Sequence, residues 1–223
     1  MQSSVRGSFA LLLAVAATLP AQQADRHPVT GRVYAGVMGM GGAPWLDRSD
    51  REQEENPRLA IKLLAIPTGA VVGDVGAGSG YYSELLANQV GPTGRVYASD
   101  LQPGMLELIR QRMRKRGLRN VEVVQSAVDD PKLPVGALDL ILMVDVYHEF
   151  SKPQEMLRAM RTALKPGGRL VLLEYRKEDP SVPIREEHKM SVAGVRAEVE
   201  PEGFRFDRVL PDLPWQHILI FRK

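Results

Sequence analysis

Residues 70–83 read AVVGDVGAGSGYYS. An apolar pair, Val71 and Val72, leads into Asp74, and glycines follow at alternate positions, Gly76, Gly78 and Gly80. Tyr82 to Val90 then has the look of a helix. Buried strand, tight glycine turn and helix N-terminus is the reading of such a stretch. It brings backbone N–H groups close to a phosphate, a carboxylate or a nucleoside. Glycine serves this turn because it reaches positive φ and carries no Cβ to keep a ligand away from the main chain. A glycine triplet is also what any tight strand-to-helix turn requires, so its register with the rest of the chain decides the matter.

Spacing excludes two phosphate motifs. A dinucleotide fingerprint needs G-x-G-x-x-G, whose third glycine would fall on Tyr81 or Ser83. A P-loop needs Gly-Lys-Ser/Thr, which does not occur. The observed pattern is D-x-G-x-G-x-G, Asp74 to Gly80.

Downstream segments fall into an alternating order. Residues 95–100 alternate as a strand toward Asp100, 20 residues past Gly80. A carboxylate at that place can accept hydrogen bonds from both ribose hydroxyls, or cap the next helix, whose first position would be Pro103. Pro103 to Arg116 forms a helix stopped by Gly117. Its five cations do not share one face, and no aromatic residues interleave, so it reads as a solvated helix end and not as a nucleic-acid patch. Asn120 to Gln125 is a third strand, followed by Ser126, Ala127, Asp129 and Asp130. Ala137 to Asp145 is almost wholly apolar, as a central parallel strand covered on both faces would be. Just beyond it stand Asp145, Tyr147, His148 and Glu149, at the sheet edge where open α/β folds bind ligands. Ser151–Leu164 is expected as a helix and Arg169–Tyr175 as a fifth strand. A helix over roughly 185–199 and two joined strands complete the chain.

The ordered set of motifs, D-x-G-x-G-x-G, the acidic residue at 100, the third-strand loop and L-K-P-G-G-x-L at 164–170, resembles the class I S-adenosylmethionine-dependent methyltransferases, over roughly residues 58–223. The resemblance implies an α/β fold: a doubly wound, Rossmann-like seven-stranded sheet, mostly parallel with an antiparallel C-terminal strand. It implies S-adenosyl-L-methionine as cofactor, met by Asp74, Gly76, Ala77, Gly78 and Gly80 in the first loop. Asp100 and Leu101 would follow after the second strand, then Ser126, Ala127 and Asp129 after the third, and Asp145 after the fourth. Ser126 stands where the family often has Asp, with Asp129 as its substitute. If the acceptor is a hydroxyl, a general base helps, and imidazole has a suitable pKa. His148 is the candidate, with Glu149 or Glu174 assisting; a helix-start histidine bonded to backbone is the alternative. His188 and His217 are weaker candidates, His217 reading as a structural strand residue. Asp145, His148, Glu149 and Glu174 could converge, but their spacing demands no metal, and none is assigned.

Length and composition bound the rest. The 223 residues suit one domain with a full core, and 44% apolar with 25% charged residues is globular. A net charge of +2 gives no general pull toward nucleic acid or membrane. No cysteine is present, which removes disulfides, thiolate zinc sites and cysteine nucleophiles. Residues 1–24 read as a secretory signal: one charge, Arg6, an apolar run of eleven residues from Phe9 to Leu19, and small residues after it. That run is well short of the roughly 20 residues that span a bilayer. A real signal would place the mature chain in the periplasm or outside the cell, and otherwise it would be cytoplasmic. Residues 25–57 read as an N-terminal lid with a helix expected over 44–55, whose Trp45, Arg48, Arg51 and Glu55 are lid residues or simply part of a solvated helix anchored by Trp45. A small-molecule acceptor is expected, since the sequence contains no added recognition domain. An exported, non-catalytic binding protein on the same fold is the alternative.

Overall fold

The computed structural model describes residues 26–223; the expected signal segment lies outside the described residues. After two single turns, α1 (Ala43–Leu46) and α2 (Arg51–Glu54), come α3 (Pro57–Leu64), β1 (Val71–Val75), α4 (Tyr81–Val90), β2 (Arg95–Asp100) and α5 (Pro103–Arg116). Then follow β3 (Val121–Gln125), β4 (Leu138–Val144), α6 (Pro153–Ala163) and β5 (Leu164–Arg176). The chain ends with β6 (Lys189–Met190), α7 (Val192–Val199), β7 (Arg205–Leu210) and β8 (Gln216–Arg222).

The strands lie in the order β3-β2-β1-β4-β5-β8-β7. The first five are parallel, and β8 runs antiparallel to both β5 and β7. The doubly wound sheet is therefore as the sequence implies. It has one strand more than expected among the described residues, because the two-residue β6 pairs with the end of β5. Strand order reverses at β1, which pairs β2 on one side and β4 on the other. A crevice opens at the carboxyl edge of such a switch point.

The unbroken apolar run of β4 is explained by its position. Leu140 and Leu142 face a core layer with Leu64 of α3 and Leu86 of α4, while Ile141 and Met143 face Leu157 and Met160 of α6 and Val195 of α7. No helix connects β3 to β4. Pro131 and Pro134 stand in that crossing, and proline disfavours helix at itself and at the residue before it.

Three expected boundaries move. The helix expected over 44–55 breaks at residues 47–50, where side chains compete with the backbone for hydrogen bonds. Asp47 accepts from Ser79 Oγ at 3.0 Å and from Arg112, and Ser49 Oγ donates to Asp50 at 2.9 Å. The helix expected over 185–199 is confined to α7, whose N-cap Ser191 accepts from the Gly194 N–H at 3.0 Å. β5 begins earlier than expected, at Leu164, because the L-K-P-G-G stretch itself pairs with β4 at Leu138, across a register shift.

Two buried acids fasten the parts that surround the crevice. Asp74, at 2% exposure on β1, accepts from Ser83 Oγ in the first turn of α4 at 2.6 Å and so closes the glycine turn. Burial pushes its carboxyl up to about 6. Glu55, with no exposure, accepts from Arg48 Nη2 at 2.5 Å, Arg51 Nε at 2.7 Å and the Tyr175 hydroxyl of β5 at 2.9 Å. These bonds tie the N-terminal turns to the centre of the sheet. Arg48 also lies over the Trp45 ring at 3.6 Å.

Because the folded pKa of Asp74 is raised, its contribution to stability is fully present below the unfolded value and is lost as pH rises through about 6. Asp74→Asn removes this dependence. The variant should gain up to about 3 kcal/mol on the wild type between about pH 4 and about pH 7, read by urea unfolding at each pH. A difference that does not change with pH would contradict the assignment. Glu55→Ala leaves the buried Arg51 without its carboxylate and should lower stability by about 3–5 kcal/mol in the same assay.

Candidate functional site

A cavity of about 560 Å³ opens at the carboxyl edge of the sheet. One end is formed by the turn after β1 and the ends of β2 and β3. Gly76, Gly78 and Gly80 all have positive φ, at 73°, 54° and 79°. Gly76 is the most constrained, since a Cβ there would stand 2.4 Å from Val146. Asp100 is 7% exposed and borders the cavity. Its Oδ2 accepts from the Gly78 N–H and its Oδ1 from the Gln102 N–H, both at 2.9 Å. The carboxylate therefore both orders the glycine loop and remains beside the space a ribose would fill. Burial raises its pKa against those backbone donors. Leu101, Met105, Ser126, Ala127 and Val128 complete a mostly apolar wall.

The other end is built after β4 and β5. Asp145 takes a left-handed conformation, φ 49°, sparsely populated by residues other than glycine and a form of strain that collects at functional sites. Its Oδ2 accepts from Gln216 Nε2 at 2.6 Å, while its buried Oδ1 has no partner. Burial, with Glu55 and Glu174 adding to it, raises its pKa well above the carboxylate range.

The turn at Tyr147–Glu149 carries the polar side chains that face the cavity. Glu174 of β5, with no exposure, accepts from the Tyr147 N–H at 3.0 Å and lies 2.6 Å from His148 Nδ1. His148 Nε2 lies 3.1 Å from His188 Nδ1, and His188 Nε2 lies 3.1 Å from an Arg185 guanidinium nitrogen. An arginine only donates, so the tautomers follow. Arg185 donates to His188 Nε2, His188 Nδ1–H to His148 Nε2, and His148 Nδ1–H to Glu174. Glu149 also borders the cavity and is pushed up to about 7 by burial, with His148 and the Met38 N–H opposing.

Residues ahead of the first helices strap this turn in place. Arg32 Nη1 and the Ala35 N–H both donate to the His148 carbonyl at 3.0 Å, and the Met38 N–H donates to Glu149 Oε1 at 3.2 Å. Gln102 Nε2 donates to the Met38 carbonyl at 2.8 Å, which ties the strap to the Asp100 end. Val37, Met38, Trp45 and Leu46 line the cavity from above. Of the four lid residues the sequence suggests, Trp45 and Arg51 reach the cavity, while Arg48 and Glu55 hold the lid together.

Of the expected cofactor residues, Gly76, Gly78, Asp100, Leu101, Ser126, Ala127 and Asp145 line this cavity, as do both expected catalytic residues, His148 and Glu149. Asp74 and Ala77 lie beneath the loop, beside a small adjoining void. Gly80 packs against Ile109 of α5, and Asp129 points to Lys152 at 3.5 Å, away from the cavity wall. His217 is a buried strand residue opposite Glu174, as expected. His188, a weaker candidate in the sequence, joins the site through His148, while Met38 and Arg32 are the contributions that sequence reasoning missed.

The donor set fits a nucleoside linked to an amino acid. Asp100 and the glycine loop suit a ribose, and the apolar wall suits a base. The orphaned oxygen of Asp145 suits a buried ammonium group, since such an atom otherwise lacks a hydrogen bond.

Residues 72–168 match the family model described as a methyltransferase domain. Over 121 residues the chain is 36% identical to the ubiquinone/menaquinone biosynthesis C-methyltransferase UbiE of Pseudomonas savastanoi pv. phaseolicola, and 33% identical to that of Pseudomonas putida. Each alignment covers 54% of this chain and 47% of the relative, so the chain spans about half the length of these relatives. A SAM-dependent methyltransferase from Aquifex aeolicus superposes with a TM-score of 0.79 at 29% identity, over 83% of this chain and 99% of that one. The [4+2]-cyclase SpnF shares the fold alone, with a TM-score of 0.63 at 17% identity over 75% of this chain and 80% of its own. Nothing in these likenesses supports a non-catalytic binding protein. With sheet order, glycine loop and Asp100 all in register, residues 72–168 form a methyltransferase domain, and the fold around them is that of the class I S-adenosylmethionine-dependent methyltransferases.

Proposed function

We propose that the protein transfers a methyl group to a compact, largely apolar acceptor bearing a weakly acidic oxygen. The observation that carries this reading is a cavity that joins the Asp100–glycine loop end to the Glu174-oriented His148 end. About 560 Å³ lies within the range of small-molecule sites. Such a space suits a cofactor with a compact acceptor.

S-adenosylmethionine, when bound, supplies a methyl group on a positively charged sulfur. Asp100 would hold its ribose, and Asp145 its ammonium group. A cationic donor is favoured by the wall acids Asp100, Asp145 and Glu149, because its charge offsets the burial that holds Asp145 and Glu149 toward their protonated forms, and Arg51 at the wall is already paired with Glu55. The lid excludes water and aligns the reacting atoms, which supplies a large part of the acceleration in displacements of this type. At the other end, Glu174 fixes His148 Nδ1–H, so Nε2 is the basic nitrogen, met by His188 Nδ1–H in this structure. Once released from His188, Nε2 takes the proton of an acceptor oxygen, and the imidazolium paired with Glu174 stabilises the anion left behind. An oxyanion on an aromatic or enolic acceptor also enriches the neighbouring carbon, so carbon methylation is the favoured direction. The names of the relatives at 33–36% identity agree with it. The export signal at residues 1–24 remains part of this proposal.

Calorimetric titration with S-adenosylhomocysteine tests the cofactor end. The wild type should bind, and Asp100→Ala should weaken binding about tenfold or more, the value of a charged hydrogen-bond acceptor. Absence of binding to the folded wild type overturns the reading. Phenolic and enolic acceptors supplied with S-adenosylmethionine should yield methylated acceptor and S-adenosylhomocysteine in equal amounts, and His148→Ala should lower kcat far more than it alters cofactor binding.

A further inference from the structure

We propose that His148, Glu149 and His188 bind one divalent first-row transition ion at the β4–β5 end of the cavity. One donor atom from each side chain lies within 4.8 Å of the other two. The two imidazole nitrogens, His148 Nε2 and His188 Nδ1, are 3.1 Å apart. Two nitrogens bound about 2.1 Å from one ion and about 90° apart are separated by ~3.0 Å. The ring atoms therefore already stand where neighbouring metal ligands stand.

The surroundings are those of a ligand set. Glu174 holds the far nitrogen of His148 at 2.6 Å, the carboxylate–histidine arrangement that fixes tautomer and orientation behind a metal. The Met38 N–H holds Glu149 Oε1. Both His148 and Glu149 are buried or largely so, and all three residues line the cavity, which leaves coordination positions open toward an acceptor. Two imidazoles with one carboxylate suit iron(II), zinc and their neighbours better than magnesium or calcium, which prefer oxygen donors.

The chain of hydrogen bonds from Arg185 to Glu174 is then the metal-free form. Binding takes the other tautomer of His188, with Nε2–H turned outward and Nδ1 bare; Arg185 is 78% exposed and free to move aside. The ligand class received by the open positions is an acceptor oxygen: phenol, enol or hydroxyl. An ion there lowers the pKa of that oxygen as a Lewis acid, with no change of oxidation state. That the ion serves an acceptor rests on the methyl-transfer reading, whereas its binding does not.

The chain holds four histidines and no cysteine, so background metal binding by the untagged protein is low. The full chain, stripped with a chelator, is titrated with Zn²⁺ against a chromophoric competitor and with Co²⁺ by visible absorption. S-adenosylhomocysteine titration on the same samples reports the cofactor end. One ion per chain is expected, with affinity lowered at least about tenfold in His188→Ala and in Glu149→Gln, while both variants still bind S-adenosylhomocysteine. Glu174→Gln, acting from behind His148, should weaken the ion about 10–100-fold. A wild type that binds S-adenosylhomocysteine but no ion, or binds the ion equally well as His188→Ala, overturns the metal site alone. A wild type that binds the ion but not S-adenosylhomocysteine overturns the methyl-transfer reading alone.

Discussion

A carboxylate with no exposure to water must be met by donors, and Glu174 is met by two from one turn. The Tyr147 N–H and His148 Nδ1 both converge on it from the segment that follows β4. Leaving that carboxylate unpartnered would cost far more than these bonds gain on their own, because the hydration of the charge would be lost with nothing in its place. The turn therefore has one acceptable conformation. That conformation aims His148 Nε2 and Glu149 at the cavity, and it puts the His148 carbonyl where Arg32 and Ala35 reach it. Pairing of β4 with β5 thus sets the polar end of the site, before any ligand arrives.

The strap extends this dependence to the cofactor end. Residues 32–38 hold the His148–Glu149 turn, and the Met38 carbonyl accepts from Gln102, the residue after the Asp100 loop. Asp100 in turn anchors Gly78. A continuous set of hydrogen bonds accordingly runs from β5 to the glycine loop over the top of the cavity. Glu55 fastens the next part of the same segment to Tyr175, next to Glu174 on β5. Both ends of the cavity share one covering element, so a change in that cover is felt by cofactor and acceptor together.

Much of this was legible in the sequence because local chemistry decided it. Alternate glycines after an apolar pair, an acid at the end of β2 and the apolar run of β4 each have one economical structural explanation, and their order supplied the fold. Pro103 and Gly117 marked α5 to the residue. What stayed hidden depends on contacts distant in the chain. His188 follows a proline-containing loop with no periodicity, and nothing near it signals that it meets His148, forty residues earlier. Asp129 looked like the substitute for the family's acid after the third strand, yet Lys152 takes it outward. The helix expected at 44–55 had adequate pattern, but Asp47 finds Ser79 and Arg112, and those long-range bonds outweigh the propensity of a few residues.

The fold by itself leaves the reaction open, since SpnF shares the architecture and is named for a cyclisation. What distinguishes this chain is therefore the acceptor end. An apolar cavity closing on a dyad of imidazoles, one backed by Glu174, is poorly suited to a neutral amine, which needs its own lone pair and no anion stabiliser. It is well suited to an oxygen acid whose charge must be held in a dry place, where electrostatic contacts are stronger than in water. Wall acids drawn into their charged form by a cationic donor would repel an anionic acceptor. A cationic centre at His148, Glu149 and His188 resolves that conflict, because it lets both reactants approach one another inside a site otherwise lined by acids.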